Sequence, residues 1–211
     1  MKRERGKCRI CRSLRTKLFL KGEKCFTQKC PFSRRPYPPG EKPKKRKSLP
    51  SEFAQILKEK QKLKAFYGLT ERELKRYAKE VLHQKSAKTE MSALLLDKLE
   101  RRLDSIVLRA GFVTSRSQAR QLISHGFFEV DGRKVNVPSF LVKVGESVRL
   151  RQIKMKKKIV EKIKENLKEA KPPSFLELEP ERLEAKLISP IKVEEVLPPA
   201  EISSVFAFYS K

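Results

Sequence analysis

Apolar residues recur at helical spacing from Leu99 to Ala110, and Gly111 follows them as a residue that favours a helix end. Ser115-Arg116-Ser117-Gln118 has the form of a capping box, in which side chains satisfy backbone N–H groups of the first turn. This pattern predicts a second helix from Ser115 to about Ser124. Its apolar positions are Ala119, Leu122 and Ile123.

Two short strand-like runs come next, from Phe127 to Val130 and from Arg133 to Val137. His125-Gly126, which precedes them, is expected to end the second helix, because glycine tolerates the left-handed conformation found at helix ends. The dipeptide Asp131-Gly132 between the runs is typical of a two-residue hairpin turn. The segment therefore predicts an antiparallel hairpin after two helices.

Two more helices have clear ends earlier in the chain. Ser51 is placed to cap the first, which Gly68 ends, and Thr70-Glu71-Arg72-Glu73 forms a capping box for the second. The expected buried positions are Phe53, Ile56, Leu57, Leu63 and Phe66 in the first helix, and Leu74, Tyr77, Ala78, Val81 and Leu82 in the second.

The charge of the chain indicates a polyanionic partner. Its 211 residues include 51 Lys and Arg against 25 Asp and Glu, for a formal net charge of +26. Such an excess opposes compaction unless an anion neutralises it, and nucleic acid is the usual partner. No apolar run approaches the ~20 residues of a membrane span, and the first residues lack a signal-peptide centre. We expect a cytoplasmic protein that binds neither membrane nor small-molecule substrate.

This charge is unevenly distributed. Residues 1–50 carry 18 basic and 3 acidic side chains, whereas residues 172–211 carry 4 and 7. The polyanion is therefore expected along the earlier part of the chain, including a basic, proline-containing linker. The basic residues of that linker are Lys44, Lys45, Arg46 and Lys47.

All four cysteines lie near the start, in the spacing C-x2-C-x13-C-x4-C. They are Cys8, Cys11, Cys25 and Cys30. Two pairs of thiolates can complete a tetrahedron around one ion, so zinc is the expected cofactor and an iron–sulfur cluster is the alternative. Disulfides are disfavoured in a reducing cytosol, and the setting of a redox-active pair is missing. A metal would also compensate for the few apolar residues here, among them Phe19 and Phe26.

Candidate nucleic-acid contacts are taken from the basic and polar side chains. Arg116 and Arg120 are four residues apart, so both guanidiniums are expected on one exposed helix face, where each can hold two phosphate oxygens. Asp104 is assigned to the surface of the preceding helix. The other candidates are Lys7, Arg9, Arg12, Arg15, Arg34, Arg35, Lys58, Lys62, Arg101, Gln121, His125, Arg133 and Lys134.

The run RLDSIVLRAGFVTSRSQARQLISHGFFEVDGRKVNVPSFLVKVGESV closely resembles the RNA-binding domain named after the fourth protein of the small ribosomal subunit. The resemblance implies an αL-type fold with two helices on a short antiparallel sheet. That domain also occurs in pseudouridine synthases and tyrosyl-tRNA synthetases, so the remaining chain must decide the function. No phosphate-binding glycine loop or catalytic constellation is evident, and we expect no enzymatic activity.

The resemblance extends along nearly the whole chain. The cysteine spacing, RRPYPPG, EKQKLKAFYGLTERELKRY and the terminal FAFYSK are similar to the cysteine-containing bacterial form of the ribosomal S-four family. The predicted class is α+β, with segments 1–48 (metal knuckle and linker), 49–98 (helical lobe), 99–151 (inserted RNA-binding domain) and 152–211. The resemblance implies that this last segment, a basic helix and tail, packs back on the helical lobe.

The family resemblance also implies a function. Such a protein binds 16S ribosomal RNA early in assembly of the small-subunit body and lines the messenger RNA entry path. It contributes to decoding accuracy with the fifth and twelfth small-subunit proteins, and the acidic tail is expected to face the fifth protein. A free regulatory RNA-binding protein, acting on messenger RNA or in antitermination, is the alternative. The expected interface residues are Glu194, Glu195 and Glu201.

Overall fold

A computed structural model describes residues 6–40, 49–84, 88–191 and 195–210, with the side chains of 88–90 excluded. It divides into two compact units, each of which is described separately below. The first comprises residues 1–92 and 198–211, and the second comprises residues 93–197. No described helix is long and apolar enough to cross a membrane.

The first unit is helical. In chain order it contains α1 (Lys7–Leu14), a 3-10 turn (Gly22–Cys25), α2 (Pro31–Arg34), α3 (Glu52–Tyr67), α4 (Glu71–Leu82) and α9 (Ile202–Tyr209). The helix α5 (Lys88–Glu100) contains the boundary between the units. Helix α9 packs against both α3 and α4, so the last described residues complete the lobe that begins at Glu52.

The predicted ends of α3 and α4 are confirmed. Ser51 Oγ accepts a hydrogen bond from the Ala54 N–H at 3.3 Å, and Gly68 ends α3 with a φ of 62°. Thr70 and Glu73 form the complete capping box of α4, with the Thr70 N–H donating to Glu73 at 2.8 Å. Each cap supplies about 1 kcal/mol by pairing backbone groups that the helix itself leaves unsatisfied.

The buried face of α3 differs from the prediction. Phe53 is 58% exposed, whereas Lys60, Leu63 and Tyr67 are buried. Lys60 can be buried because its ammonium lies 2.6 Å from the carboxylate of Glu71. Leu63 is therefore buried as predicted, whereas Phe53 remains mostly exposed, although its ring lies 6.0 Å from the Phe208 ring of α9.

The second unit combines helices with one antiparallel sheet, which confirms the α+β class. Its elements after α5 are α6 (Leu103–Arg109), α7 (Arg116–Ser124), β1 (Phe128–Val130), β2 (Arg133–Lys134), β3 (Ser147–Leu150), a 3-10 turn (Gln152–Lys154), α8 (Ile159–Glu169), β4 (Leu176–Glu179) and β5 (Glu184–Leu187). The strand order is β2-β1-β3-β5-β4, and each neighbouring pair is antiparallel.

The predicted hairpin is present. Val130 pairs with Arg133, and the two residues between them, Asp131 and Gly132, have φ values of 44° and 76°. A two-residue hairpin turn of type I′ requires positive φ at both central positions, which explains the Asp-Gly sequence.

The last predicted segment, 152–211, is divided between the units. Residues 152–197 belong to the second unit, where Val148 of β3 pairs with Ala185 of β5. The expected packing on the helical lobe is supplied by α9, which contacts α3 and α4. The physical reason is that β3 would otherwise leave an unpaired edge, which the β4–β5 hairpin covers.

Candidate nucleic-acid interface

Helix α7 begins where the sequence predicts. Ser115 Oγ accepts a hydrogen bond from the Gln118 N–H at 3.4 Å, and Ala119, Leu122 and Ile123 are buried in the core of the second unit. Gln121 is exposed on the opposite side of α7, and His125 is exposed at its C-terminal end.

The prediction that Arg116 and Arg120 are both exposed on α7 is wrong for Arg116. Its side chain is buried, with 8% of the residue exposed, and Nη2 donates to Ser105 Oγ at 3.3 Å. The Ser105 hydroxyl in turn donates to the Leu99 carbonyl at 2.8 Å. Arg116 therefore connects α7 to α6, because the buried side of α7 extends further around the helix than its apolar residues indicate.

The prediction that Asp104 lies on a helix surface is also wrong. Asp104 and Arg102 are both fully buried and form a two-pronged ion pair, with Arg102 Nε and Nη2 at 3.1 and 3.0 Å from the carboxylate oxygens. Arg120 Nε lies 3.6 Å from the same carboxylate, and its side chain is only partly exposed. Asp104 thus orients Arg120 from inside the fold.

A second buried acid was missed by the sequence interpretation. Glu100 is fully buried and holds Arg109 through two hydrogen bonds of 2.9 and 3.0 Å. The available signal was an acidic residue at the end of α5, with a basic residue nine positions later. Such pairing is needed because an unpaired buried charge is strongly destabilising.

Lys134 and Arg151 lie near the C-terminal end of α7, beside Gly126. Arg133 and Lys134 are exposed on the hairpin, and the Lys134 side chain lies against Gly126. Arg151 Nη1 donates to the Gly126 carbonyl at 3.2 Å. We call the surface formed by Gln121, His125, Arg133, Lys134 and Arg151 the α7–hairpin surface. Its exposed cations, Arg133 and Lys134, are available to phosphate oxygens.

Arg101 is more strongly engaged than the hairpin residues. Its Nε donates to the Val142 carbonyl at 2.9 Å, and Nη1 lies 3.4 Å from Asp97. The side chain is partly buried, so it stabilises the end of α5 while one edge remains accessible.

The first unit presents a separate set of basic residues. Arg9, Arg15, Arg34 and Arg35 are exposed, and Lys7 and Lys58 are partly buried. Arg12 instead donates through Nε to the carbonyls of Arg35 and Tyr37, both at 3.0 Å, and therefore holds that segment. Lys62 is paired with Glu59 at 2.6 Å. The predicted linker contacts Lys44, Lys45, Arg46 and Lys47 lie outside the described residues.

The four cysteine thiols are free and line one small cavity. The Lys21 N–H donates to Cys25 Sγ at 3.4 Å. Burial raises the pKa of the Cys11 thiol, opposed by the Leu18 N–H. At Cys30, burial is outweighed by N–H groups of Ser33 and Phe32, so the pKa of that thiol is lowered. The donor set thus suits a thiophilic metal, although the described side chains as placed form no group of three or more that could ligate one.

The predicted interface acids belong to different units. Glu195 accepts hydrogen bonds from Ser174 in the second unit, including one from the Ser174 N–H at 3.1 Å. Glu201 accepts from the hydroxyls of Ser203 and Ser204, both at 2.9 Å, and these bonds lower its pKa. Glu194 lies outside the described residues.

Glu201 lines a cavity of about 690 Å³ in the first unit. Two other acids, Glu52 and Glu59, and the apolar side chains of Ile56 and Phe206 share that wall. We call it the acidic cavity, and its charge is opposite to that of the chain as a whole.

Comparison with other proteins decides the family. Residues 2–100 match the Ribosomal protein S4/S9 N-terminal domain, and residues 101–148 match the S4 domain. The chain belongs to the uS4 family. The small ribosomal subunit protein uS4 of Thermoanaerobacter sp. (strain X514) is 44% identical over 205 residues, which are 97% of this chain and 96% of the relative. The uS4 protein of Solidesulfovibrio magneticus is 42% identical over 206 residues, 98% and 97% of the two chains.

Membership of the uS4 family confirms the resemblance from which the expected fold and RNA-binding domain were taken. The family is one of structural proteins, so the expectation of a non-enzymatic chain is confirmed by this relationship. The matches span both units and nearly the full length of each relative, so they concern the whole chain and not the S4 domain alone.

Proposed function

We propose that this chain is a structural constituent of the small ribosomal subunit, located in the cytoplasm, that binds 16S ribosomal RNA. The observation that carries the proposal is the full-length relationship to uS4 proteins, with both family domains in order. The net charge of +26 supports it, because neutralising RNA phosphates releases counterions and favours association.

The proposed RNA contacts are of two kinds. In the second unit, the α7–hairpin surface offers exposed cations on a rigid hairpin and helix, and such contacts fix position on the RNA backbone. In the first unit, Arg9, Arg15, Arg34 and Arg35 are exposed in the segment that contains the cysteine cavity. Binding through both sets would connect separate RNA helices early in assembly of the subunit body.

The acidic cavity is the proposed docking surface for the fifth small-subunit protein. Glu52, Glu59 and Glu201 give it negative charge, and its apolar wall can accept the stem of a basic side chain. If this interface must open during decoding, its strength would affect translational accuracy, a role that the chain would share with the twelfth small-subunit protein. The chain would also line the messenger RNA entry path. The interface would shift the equilibrium between the two subunit states only by the difference in its interaction free energy between them.

The cysteine cavity is the proposed site of one Zn²⁺ ion, with an iron–sulfur cluster as the alternative. Cys8, Cys11, Cys25 and Cys30 line it together, and a metal would supply a rigid cross-link to a segment with a small apolar core. The role is structural, because four thiolate ligands leave no open coordination position.

Sedimentation of the native protein tests the ribosomal role. We expect it to co-migrate with small ribosomal subunits and to remain bound after a moderate salt wash. Exclusive recovery as free protein or on messenger RNA would overturn the proposal and favour the regulatory alternative. A variant with Arg133 and Lys134 replaced by Glu should be depleted from the subunit fractions.

A further inference from the structure

Two aromatic residues of the cysteine segment lie at its surface. Phe26 is 72% exposed and Phe19 is 40% exposed. Their rings are stacked, with centroids 5.0 Å apart and an interplanar angle of 27°. We call this pair the Phe19–Phe26 stack. Burial in a core does not account for it, because so much of each residue faces solvent.

The backbone holds the stack in place. Phe19 has a φ of 51°, a left-handed conformation that is strained for a bulky residue. Its carbonyl accepts from the Gly22 N–H at 3.3 Å, and the Phe26 N–H donates to the Glu23 carbonyl at 3.0 Å. The intervening Cys25 thiol accepts from the Lys21 N–H. The exposed ring of Phe26 is therefore presented by an ordered turn.

A positive charge lies beside the stack, and others are close to it in sequence. Lys17 Nζ lies 5.1 Å from the centroid of the Phe19 ring, within the range of a cation–π interaction. Residues 17–29 contain four lysines against one acidic residue, Glu23. Lys21, Lys24 and Lys29 are exposed. An aromatic face bordered by cations is complementary to a base that is flanked by phosphates.

We propose that the Phe19–Phe26 stack binds an unpaired RNA base, which stacks on the outer face of Phe26 while the neighbouring lysines hold its phosphates. A base in a duplex has both faces covered, so the ligand must be single-stranded or flipped out of a helix. Stacking on aromatic side chains accepts any base, because every base has a π face. The inference rests on the proposed RNA-binding function and adds a base-stacking contact to the cation–phosphate contacts proposed above.

Fluorescence provides a local test, since the chain contains no tryptophan. The full-length Phe26→Trp protein is titrated with a short single-stranded oligoadenylate, with an abasic oligomer of equal length, and with a blunt RNA duplex. We expect the oligoadenylate to quench the emission strongly and the other two to leave it nearly unchanged at equal occupancy. A Phe53→Trp protein is the matched control, because Phe53 is also exposed but lies beside the acidic residue Glu52, and its emission should not respond.

Affinity gives a second readout. Phe26→Ala should weaken binding of the oligoadenylate roughly 5- to 100-fold, the range typical when one stacked base loses its aromatic partner, and leave binding of the abasic oligomer unchanged. Phe26→Leu should weaken binding nearly as much, because it keeps apolar volume without the π face, whereas Phe26→Tyr should bind as the wild type. Because Phe26 is exposed, these substitutions should not unfold the protein, and circular dichroism of each variant checks that the fold is retained.

Two results separate failure of this inference from failure of the proposed function. Oligoadenylate that binds to the Phe26→Trp protein without quenching, together with wild-type affinity of Phe26→Leu, overturns base stacking and leaves RNA binding intact. Absence of binding by the wild-type protein to every RNA probe and to 16S ribosomal RNA overturns both.

Discussion

The hydroxyl of Tyr209 donates a 2.8 Å hydrogen bond to Glu71 Oε1, across 138 residues of sequence. Lys60 Nζ lies 2.6 Å from the same oxygen and 3.8 Å from the centroid of the Phe208 ring. Lys64 occupies the other carboxylate oxygen at 3.0 Å. One carboxylate therefore joins α3, the start of α4 and α9, which completes the helical lobe.

This cluster predicts a stability change in acid. Burial alone would raise the pKa of Glu71, but hydrogen bonds from Lys60, Tyr209 and Lys64 outweigh it and lower the pKa from 4.5 to about 2. The stabilisation is therefore complete above pH 4.5 and is lost as the pH falls towards 2. Glu71→Gln should remove that part of the pH dependence and cost about 1 kcal/mol at neutral pH, a reduced figure because the side chain is 43% exposed.

Urea unfolding from neutral pH down to the pKa of Glu71 measures this effect, with Glu80→Gln as an exposed control on the same helix. Tyr209→Phe should cost about 1 kcal/mol in the wild type and much less in a Glu71→Ala background, because Glu71→Ala removes the acceptor of the Tyr209 hydroxyl. Additive losses of stability in the double variant would show that the two side chains act independently.

Asp104 is predicted to be among the most sensitive polar positions. Asp104→Asn removes the fully buried carboxylate charge that faces the fully buried Arg102, and breaking a buried ion pair in this way costs roughly 3–5 kcal/mol. Asp97→Asn, which affects a partly exposed pair with Arg101, should cost less than about 1 kcal/mol. Equal midpoints of unfolding for the two variants would contradict the central role of Asp104.

The α7–hairpin surface gives a prediction about RNA affinity. Replacing both Arg133 and Lys134 with Ala should reduce the slope of log affinity against log salt by roughly 0.7–0.9 for each phosphate that is no longer neutralised, with stability nearly unchanged. Arg116→Ala should instead lower the stability of the second unit, because that side chain is buried. Salt titrations of binding to 16S ribosomal RNA, paired with urea unfolding, distinguish the two effects.

The cysteine cavity predicts one metal ion per chain. Elemental analysis should find stoichiometric zinc in colourless protein, or iron in coloured protein. Cys11→Ser should lose the metal and lower the thermal stability of the first unit, whereas Ser13→Ala on the exposed side of the same helix should do neither. Metal-free wild-type protein with unchanged stability would refute a structural metal.

The acidic cavity predicts an effect on decoding. Glu201→Lys places a positive charge in a wall shared with Glu52 and Glu59, and it should weaken docking of a basic partner while subunit assembly continues. Misreading should therefore rise, as measured with a reporter that requires a near-cognate codon match. Glu195→Lys is the comparison, because Glu195 is not among the residues that line the acidic cavity. Normal accuracy in ribosomes that contain the Glu201→Lys protein would exclude this surface.

Local sequence signals determined the ends of several elements. Ser51, Thr70 and Ser115 cap their helices and Gly68 ends one, because capping depends on contacts within a single turn. The Asp131-Gly132 turn was equally predictable, since its backbone requirement is met by two adjacent residues. Net charge and the order of motifs were sufficient for the family and for RNA as the expected partner.

Tertiary packing decided the rest. Arg116 and Asp104 are buried, and Phe26 is exposed, because each outcome depends on which distant element covers that side of the chain. The β4–β5 hairpin joins the sheet of the S4 domain since β3 presents an edge to it, a long-range pairing with no local signal. The sequence alone thus determined where elements begin and end, and only the folded chain decided which polar groups are buried in pairs and which remain available to RNA.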